Sequence, residues 1–166
     1  MFVFFADSKK QDMKEISVEK FFDPVKRPKI DDDLNEKMKN SMDIVHRMAC
    51  TLNHSLYVID YLKQSFVYVS PDKLFLCGYS VEQVLEWGYS FYTRVVPEND
   101  LRRLLEINKA GFDFYYKLPI EKRYMYSIEY DFDLVHINKK VTRVNQRLIP
   151  LIINKAGDLW LAVCVV

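Results

Sequence analysis

From Tyr126 to Leu134 apolar and polar side chains alternate without a break. Tyr126, Ile128, Tyr130, Phe132 and Leu134 fall on one face, and Ser127, Glu129, Asp131 and Asp133 on the other. A period of two sustained this long predicts a half-solvated strand, because successive side chains leave a pleated backbone on opposite sides. Asn138-Lys139 then turns the chain into Val141 to Ile153, and Asn154-Lys155-Ala156-Gly157-Asp158 turns it into Leu159 to Val166, so the last three strands form an antiparallel meander. Upstream, Leu56 to Leu62 and Phe66 to Ser70 flank Lys63-Gln64-Ser65 and predict a hairpin.

Three helical stretches separate the hairpin from the meander. Ser70-Pro71-Asp72 reads as a cap with Pro at the first helical position, followed by Leu74, Phe75 and Leu76 and a stop at Gly78. Ser80-Val81-Glu82-Gln83 has the S-x-x-Q capping pattern and opens a second short helix through Val84, Leu85 and Trp87 to Gly88. Pro97-Glu98-Asn99-Asp100 sets Pro and carboxylates in a first turn, where they complement the helix dipole. Leu101, Leu104, Leu105 and Phe112 continue one face of a longer helix that ends before Pro119.

Ahead of the hairpin, the acidic start Asp31-Asp32-Asp33 leads into Leu34, Met38, Met42, Val45, Met48, Ala49 and Leu52 at spacings of three and four. This is an amphipathic helix of about five turns. Leu34, Met38, Met42, Val45, Met48 and Leu52 are its candidate dimer face. Ser41 interrupts one heptad position, so packing on the following domain, in cis or in a dimer, is favoured over a coiled coil. The first thirty residues read as an arm, with an amphipathic helix expected from Ser8 to Phe22 and breaks at Asp23-Pro24 and Arg27-Pro28. The chain thus divides into an arm and helix over 1–54 and a domain over 55–166. Two strands cannot stand alone in water, so pairing all five into one antiparallel sheet with helices on one face buries the most surface. The expected fold is α+β, with a pocket between sheet and helices.

Composition narrows the function. The 166 residues are one domain's worth of chain, and 24 aromatics against 4 Gly imply a large, tightly filled core. The net charge of +1 is not hidden polarity: residues 1–54 hold 10 basic and 10 acidic side chains, leaving 14 and 13 in the remainder. A broad nucleic-acid footprint is therefore excluded. The longest apolar run, Leu159 to Val166, is far shorter than the ~20 residues a membrane span needs. The opening Met1-Phe2-Val3-Phe4-Phe5-Ala6 has no basic segment before it to make a signal peptide, so a cytoplasmic location is expected. Cys50, Cys77 and Cys164 form no C-x-x-C pair and read as reduced thiols, with neither zinc nor disulfide.

Together these residues resemble a PAS domain over roughly 55–166. The resemblance is carried by Val58-Ile59-Asp60, by Phe66-Val67-Tyr68-Val69-Ser70-Pro71 leading into Leu76-Cys77-Gly78-Tyr79-Ser80-Val81-Glu82-Gln83, and by Val96-Pro97-Glu98-Asn99-Asp100. Val144, Gln146, Asn154 and Gly157-Asp158-Leu159-Trp160-Leu161 are similar to the PAS-like sensor of bacterial transcription regulators with a LuxR-type helix-turn-helix. That resemblance implies a non-catalytic, signal-sensing and dimerising module, a homodimer that takes a small molecule between sheet and helices. Because the chain stops mid-strand at Cys164-Val165-Val166, an excised sensor is expected, its DNA contact made by a helix-turn-helix domain downstream.

Each cofactor and reaction can be checked against its residues. Haem needs an axial ligand, commonly His, and none lies in the helix starting at Pro97. The light-sensing flavin domains of this family need Asn-Cys-Arg-Phe where this chain has Tyr92-Thr93-Arg94-Val95. Both cofactors are disfavoured, and no metal site is expected: Asp31-Asp32-Asp33 lacks the alternating spacing of a calcium loop. His46 is followed by Arg47 where a kinase helix places an acid, and no Ser or Cys pairs with a His as in a triad. What remains is the pocket, for which Phe112, Tyr130, Phe132, Gln146 and Trp160 are the candidate lining residues. Gln146 shares a strand face with Val144 and Leu148, an inward position where its amide meets either a ligand or an internal partner. The alternatives are a PAS sensor with another output, such as a histidine kinase, and a cone-shaped enzyme of the ketosteroid-isomerase type. The latter needs Asp60, Asp131 or Asp133 inward, and the alternation turns the last two outward.

Overall fold

A computed structural model describes residues 16–52 and 54–166. Helix α1 (Asp32–Thr51) precedes the hairpin β1 (Leu56–Asp60) and β2 (Ser65–Val69). Four helices follow, α2 (Lys73–Leu76), α3 (Val81–Trp87), α4 (Tyr92–Val95) and α5 (Glu98–Tyr115), and then β3 (Ile128–Val135), β4 (Val141–Ile153) and β5 (Leu159–Val165). The strands make one antiparallel sheet in the order β2-β1-β5-β4-β3. The central strand β5 is apolar throughout because both of its faces are covered. Every residue of β1 is buried, whereas β3 at the edge keeps the alternation that its solvated face demands.

Two cores result, one on each side of the sheet. On the inner face, Tyr57, Ile59, Phe132, Leu134, Leu148, Leu159 and Cys164 meet Phe75, Val84, Phe91, Leu104 and Phe112 from the helices. On the outer face, α1 lays Leu34 and Val45 on Val58, Ile152, Trp160 and Leu161, with Met38 and Met42 half-buried beside them. Asp31 caps this helix by accepting from the Leu34 amide at 3.0 Å. Leu34, Met38, Met42 and Val45 therefore pack in cis, while Met48 and Leu52 stay 43% and 42% exposed near exposed Ile44.

Local chemistry sets the element ends. Strand β1 stops at Asp60, two residues short of the expected Leu62, because the Asp60 carboxylate accepts from the amides of Leu62 and Lys63 at 2.8 and 3.0 Å and bends the chain. Ser80 and Gln83 form the reciprocal capping box that their spacing predicts. The cap of α2 is Asp72 rather than Ser70: Asp72 accepts from Leu74, and buried Ser70 instead accepts from the Leu56 amide at 2.9 Å. The helix expected over Ser8 to Phe22 lies mostly outside the described residues, and its visible end is a 3-10 turn, Val18–Phe21. Phe21 and Phe22 enter the inner core, the Phe22 ring lying 4.4 Å from Tyr89 between centroids, so the end of the arm is part of the packed domain.

Candidate functional site

Strand β4 is longer than its neighbour β3, and a cavity forms where β3 runs out. Strand β3 begins at Ile128, opposite Leu148, so β4 has no strand partner on that side beyond this pair. Pro150 falls there and has no amide proton to leave unpaired, while the Ile153 amide donates to the Tyr124 hydroxyl at 3.0 Å. Helix α5 closes over the gap. A Cβ at Gly111 would lie 2.4 Å from Ile128 Cδ1, so the bare glycine is what allows so close an approach. The helix then leaves a cavity of about 280 Å³, walled by Phe112, Tyr115, Leu118, Ile128, Leu148 and Leu159, with Met125 and Tyr126 at its exposed side. Glu129 and Arg147, directly opposed across the strands, form an ion pair at 2.7 Å beside it, so the mouth presents no unbalanced charge.

Arg123 packs against Tyr115, a wall of this cavity. Its side chain is 7% exposed and has no carboxylate partner among the described residues. It donates instead to the carbonyls of Leu118 (3.2 Å), Tyr116 (3.2 Å) and Gly157 (2.6 Å), and its guanidinium lies over the Tyr115 and Tyr116 rings. Two of those carbonyls belong to the chain leaving α5, where the helix dipole is negative. Gly157 has φ +82°, and a Cβ there would sit 2.2 Å from Arg123 Nη1, so the β4–β5 turn needs glycine for both its conformation and this contact. The Tyr115 hydroxyl also donates to the Gly157 carbonyl, at 3.3 Å, and burial raises the phenol's pKa while Arg123 opposes the shift.

Gln146 sits deeper, fully buried on the inner face where its strand position predicts. Its amide is satisfied internally: Oε1 accepts from the Tyr57 hydroxyl at 2.5 Å, Nε2 donates to the Tyr130 hydroxyl at 2.5 Å, and Tyr92 hydrogen-bonds Tyr57 in turn. Burial pushes the pKa of all three phenols up, Tyr130 and Tyr57 well above their ordinary value. Burial likewise raises the Cys77 and Cys164 thiols to about 12, so both stay protonated at neutral pH; Cys50 is exposed. Phe132 fills the same region, 6.0 Å from the Tyr130 ring.

Of the five candidate pocket residues, Phe112 lines the cavity, and Gln146, Tyr130 and Phe132 make the hub behind it. Trp160 is a correction. It lies on the opposite face of the sheet, beneath α1, with Nε1 donating to Asp60 Oδ1 at 3.1 Å. Leu159 turns to the cavity and its neighbour Trp160 to the other side of the sheet, where Leu161 joins it. Asp60 is thus committed to a turn and an indole, while Asp131 and Asp133 point outward to Asn145 and Arg143. His46 is on the exposed side of α1, 3.3 Å from the Tyr68 hydroxyl. Among the described residues no group of three or more His, Cys, Asp and Glu is placed to hold a metal ion, and no helix is long and apolar enough to cross a membrane. Arg123, Tyr57 and Tyr92 carry no signal that singles them out along the chain.

No family model matches this sequence, and no curated protein matches it. Solved structures do. The PAS domain of a protein from Colwellia psychrerythraea is similar over 77% of this chain and 92% of its own, with a TM-score of 0.52 at 13% identity. An RNA-binding light-oxygen-voltage receptor is similar over 86% of this chain and 36% of its own, with a TM-score of 0.50 at 17% identity. The five-stranded antiparallel sheet with its helical insert is the PAS fold.

Proposed function

We propose that the chain is a non-catalytic sensory module that reads a small molecule in the cavity between α5 and the β3–β4 edge and passes its occupancy through the sheet to α1. The observation that carries this reading is the strand continuity between the two places. Leu159 walls the cavity and Trp160 supports α1; Leu148 and Pro150 line the cavity, and Ile152 of the same strand lies under α1. A shift of a packed strand on one face therefore alters the seat of the helix on the other, since interiors are too dense to absorb it locally. Homodimer formation belongs to the same reading, through the exposed Ile44, Met48 and Leu52 at the end of α1. So does a transcription-regulator context with DNA contact by a separate helix-turn-helix domain, which the Val144 to Leu161 resemblance and the near-neutral charge support. The residues offer neither a haem ligand in α5 nor the flavin motif, and the cavity's walls suit an unbound metabolite rather than a prosthetic group. The ketosteroid-isomerase alternative needs a carboxylate in the cavity, and Glu129 at its mouth is spent on Arg147.

Native mass spectrometry tests this directly. The protein purified from cells is expected to appear as two chains and to carry a small-molecule mass that denaturation releases. A strict monomer at high concentration would overturn the dimer, and retention of no small molecule after exposure to a cell extract would overturn the sensor.

A further inference from the structure

Tyr61 is the one phenol of the inner core whose hydroxyl is buried without a hydrogen-bond partner among the described residues. The residue is 3% exposed, and buried polar groups are almost always paired, so an orphan at this depth calls for a partner. Its ring stands edge-on to Phe112, 5.4 Å between centroids, and Phe112 is a wall of the cavity. Phe112 thus touches both the cavity and the Tyr61 ring.

The surroundings also fix the charge a partner can carry. The rings that stand against Tyr61 are those of Phe22 and Phe112, both apolar, and among the described residues no ion pair and no cation–ring contact involves it. An ionised group brought here would be desolvated without compensation. At the outer end Arg147 is already paired with Glu129. The intervening walls, Phe112, Leu148 and Leu159, are apolar.

Resting on the sensory reading above, we propose that the ligand is an uncharged apolar molecule bearing one hydroxyl or carbonyl group. It enters the cavity polar end first, and its polar group hydrogen-bonds the Tyr61 hydroxyl. Entry requires the Phe112 ring to turn aside, and the apolar body then lies along Leu148 and Leu159 toward Met125 and Tyr126.

The test is calorimetric titration of the whole chain with octane, octanol and octanoate, on the wild type and on Tyr61→Phe. Octanol is expected to bind about tenfold tighter than octane, the value of one added hydrogen bond, and octanoate more weakly than octanol. Tyr61→Phe loses only an unpaired hydroxyl and so is expected to fold with undiminished stability. It is expected to bind octane as the wild type does and octanol no better than octane. Equal affinities for octane and octanol in the wild type, an octanol preference that survives Tyr61→Phe, or octanoate as the tightest ligand would each overturn the assignment while leaving the sensor reading standing. Failure of all three to bind the wild type would overturn the ligand class, whereas the sensor falls only if native mass spectrometry finds no retained small molecule.

Discussion

Replacing Trp160 by Ala is expected to destabilise the protein by about 4 kcal/mol. The indole is 3% exposed beneath α1 and shares its cluster with Leu34, Val45, Val58, Ile152 and Leu161, so truncation removes the largest side chain of the outer core. It also removes the donor to Asp60 Oδ1, a carboxylate whose other oxygen is buried without a partner among the described residues. The lost packing dominates, and the weakened carboxylate adds to it. Denaturant unfolding measures the loss, and limited proteolysis within residues 32–51 measures how far α1 comes away. Trp160→Phe keeps most of the apolar area and is expected to lose about half as much. A loss under about 1 kcal/mol for Trp160→Ala would contradict its place in the packed outer core.

Gln146→Leu is the second large effect, expected at about 3 kcal/mol, which lowers the melting temperature by roughly 6–12 °C. Leucine matches the volume but leaves the Tyr130 hydroxyl without its partner, and the Tyr57 hydroxyl with Tyr92 alone, in a fully buried site. A cycle separates this cost from simple repacking: in the Gln146→Leu background, Tyr130→Phe is expected to be nearly neutral or stabilising, while in the wild type it destabilises. Equal effects of Tyr130→Phe in both backgrounds would show that the hub contributes no coupled hydrogen bonding.

Local pattern carries the elements, and contacts distant in sequence decide the site. Strand β4 spans Val141–Ile153 as its flanking turns predict, and the Ser80–Gln83 capping box is closed by four consecutive residues, so both are written locally. The inward position of Gln146 also follows from alternation alone. Its partners do not, because Tyr57 and Tyr130 arrive from other strands and Tyr92 from a helix. Trp160 is open to misreading for a related reason. Strand β5 departs from regular pairing around it, with register shifts between Pro150 and Ile153 of β4, and Trp160 and Leu161 both end in the outer core. Arg123 is the clearest case of long-range control. In Glu121-Lys122-Arg123 it reads as one more solvated charge, and only the meeting of the α5 terminus with the β4–β5 turn gathers three carbonyls around it. The cavity itself exists because β3 starts at Ile128 rather than Tyr126, a difference of two residues at a strand end.

That occupancy of this cavity reaches α1 through the sheet is most directly tested by hydrogen–deuterium exchange of the whole chain with and without octanol. The expected result is slower exchange over 111–118 and 125–128, where the cavity wall tightens, together with a change over 42–52, where α1 rests on the strands that line the cavity. No change over 111–128 would contradict the binding site, and protection confined to those residues with α1 unaltered would contradict the transmission.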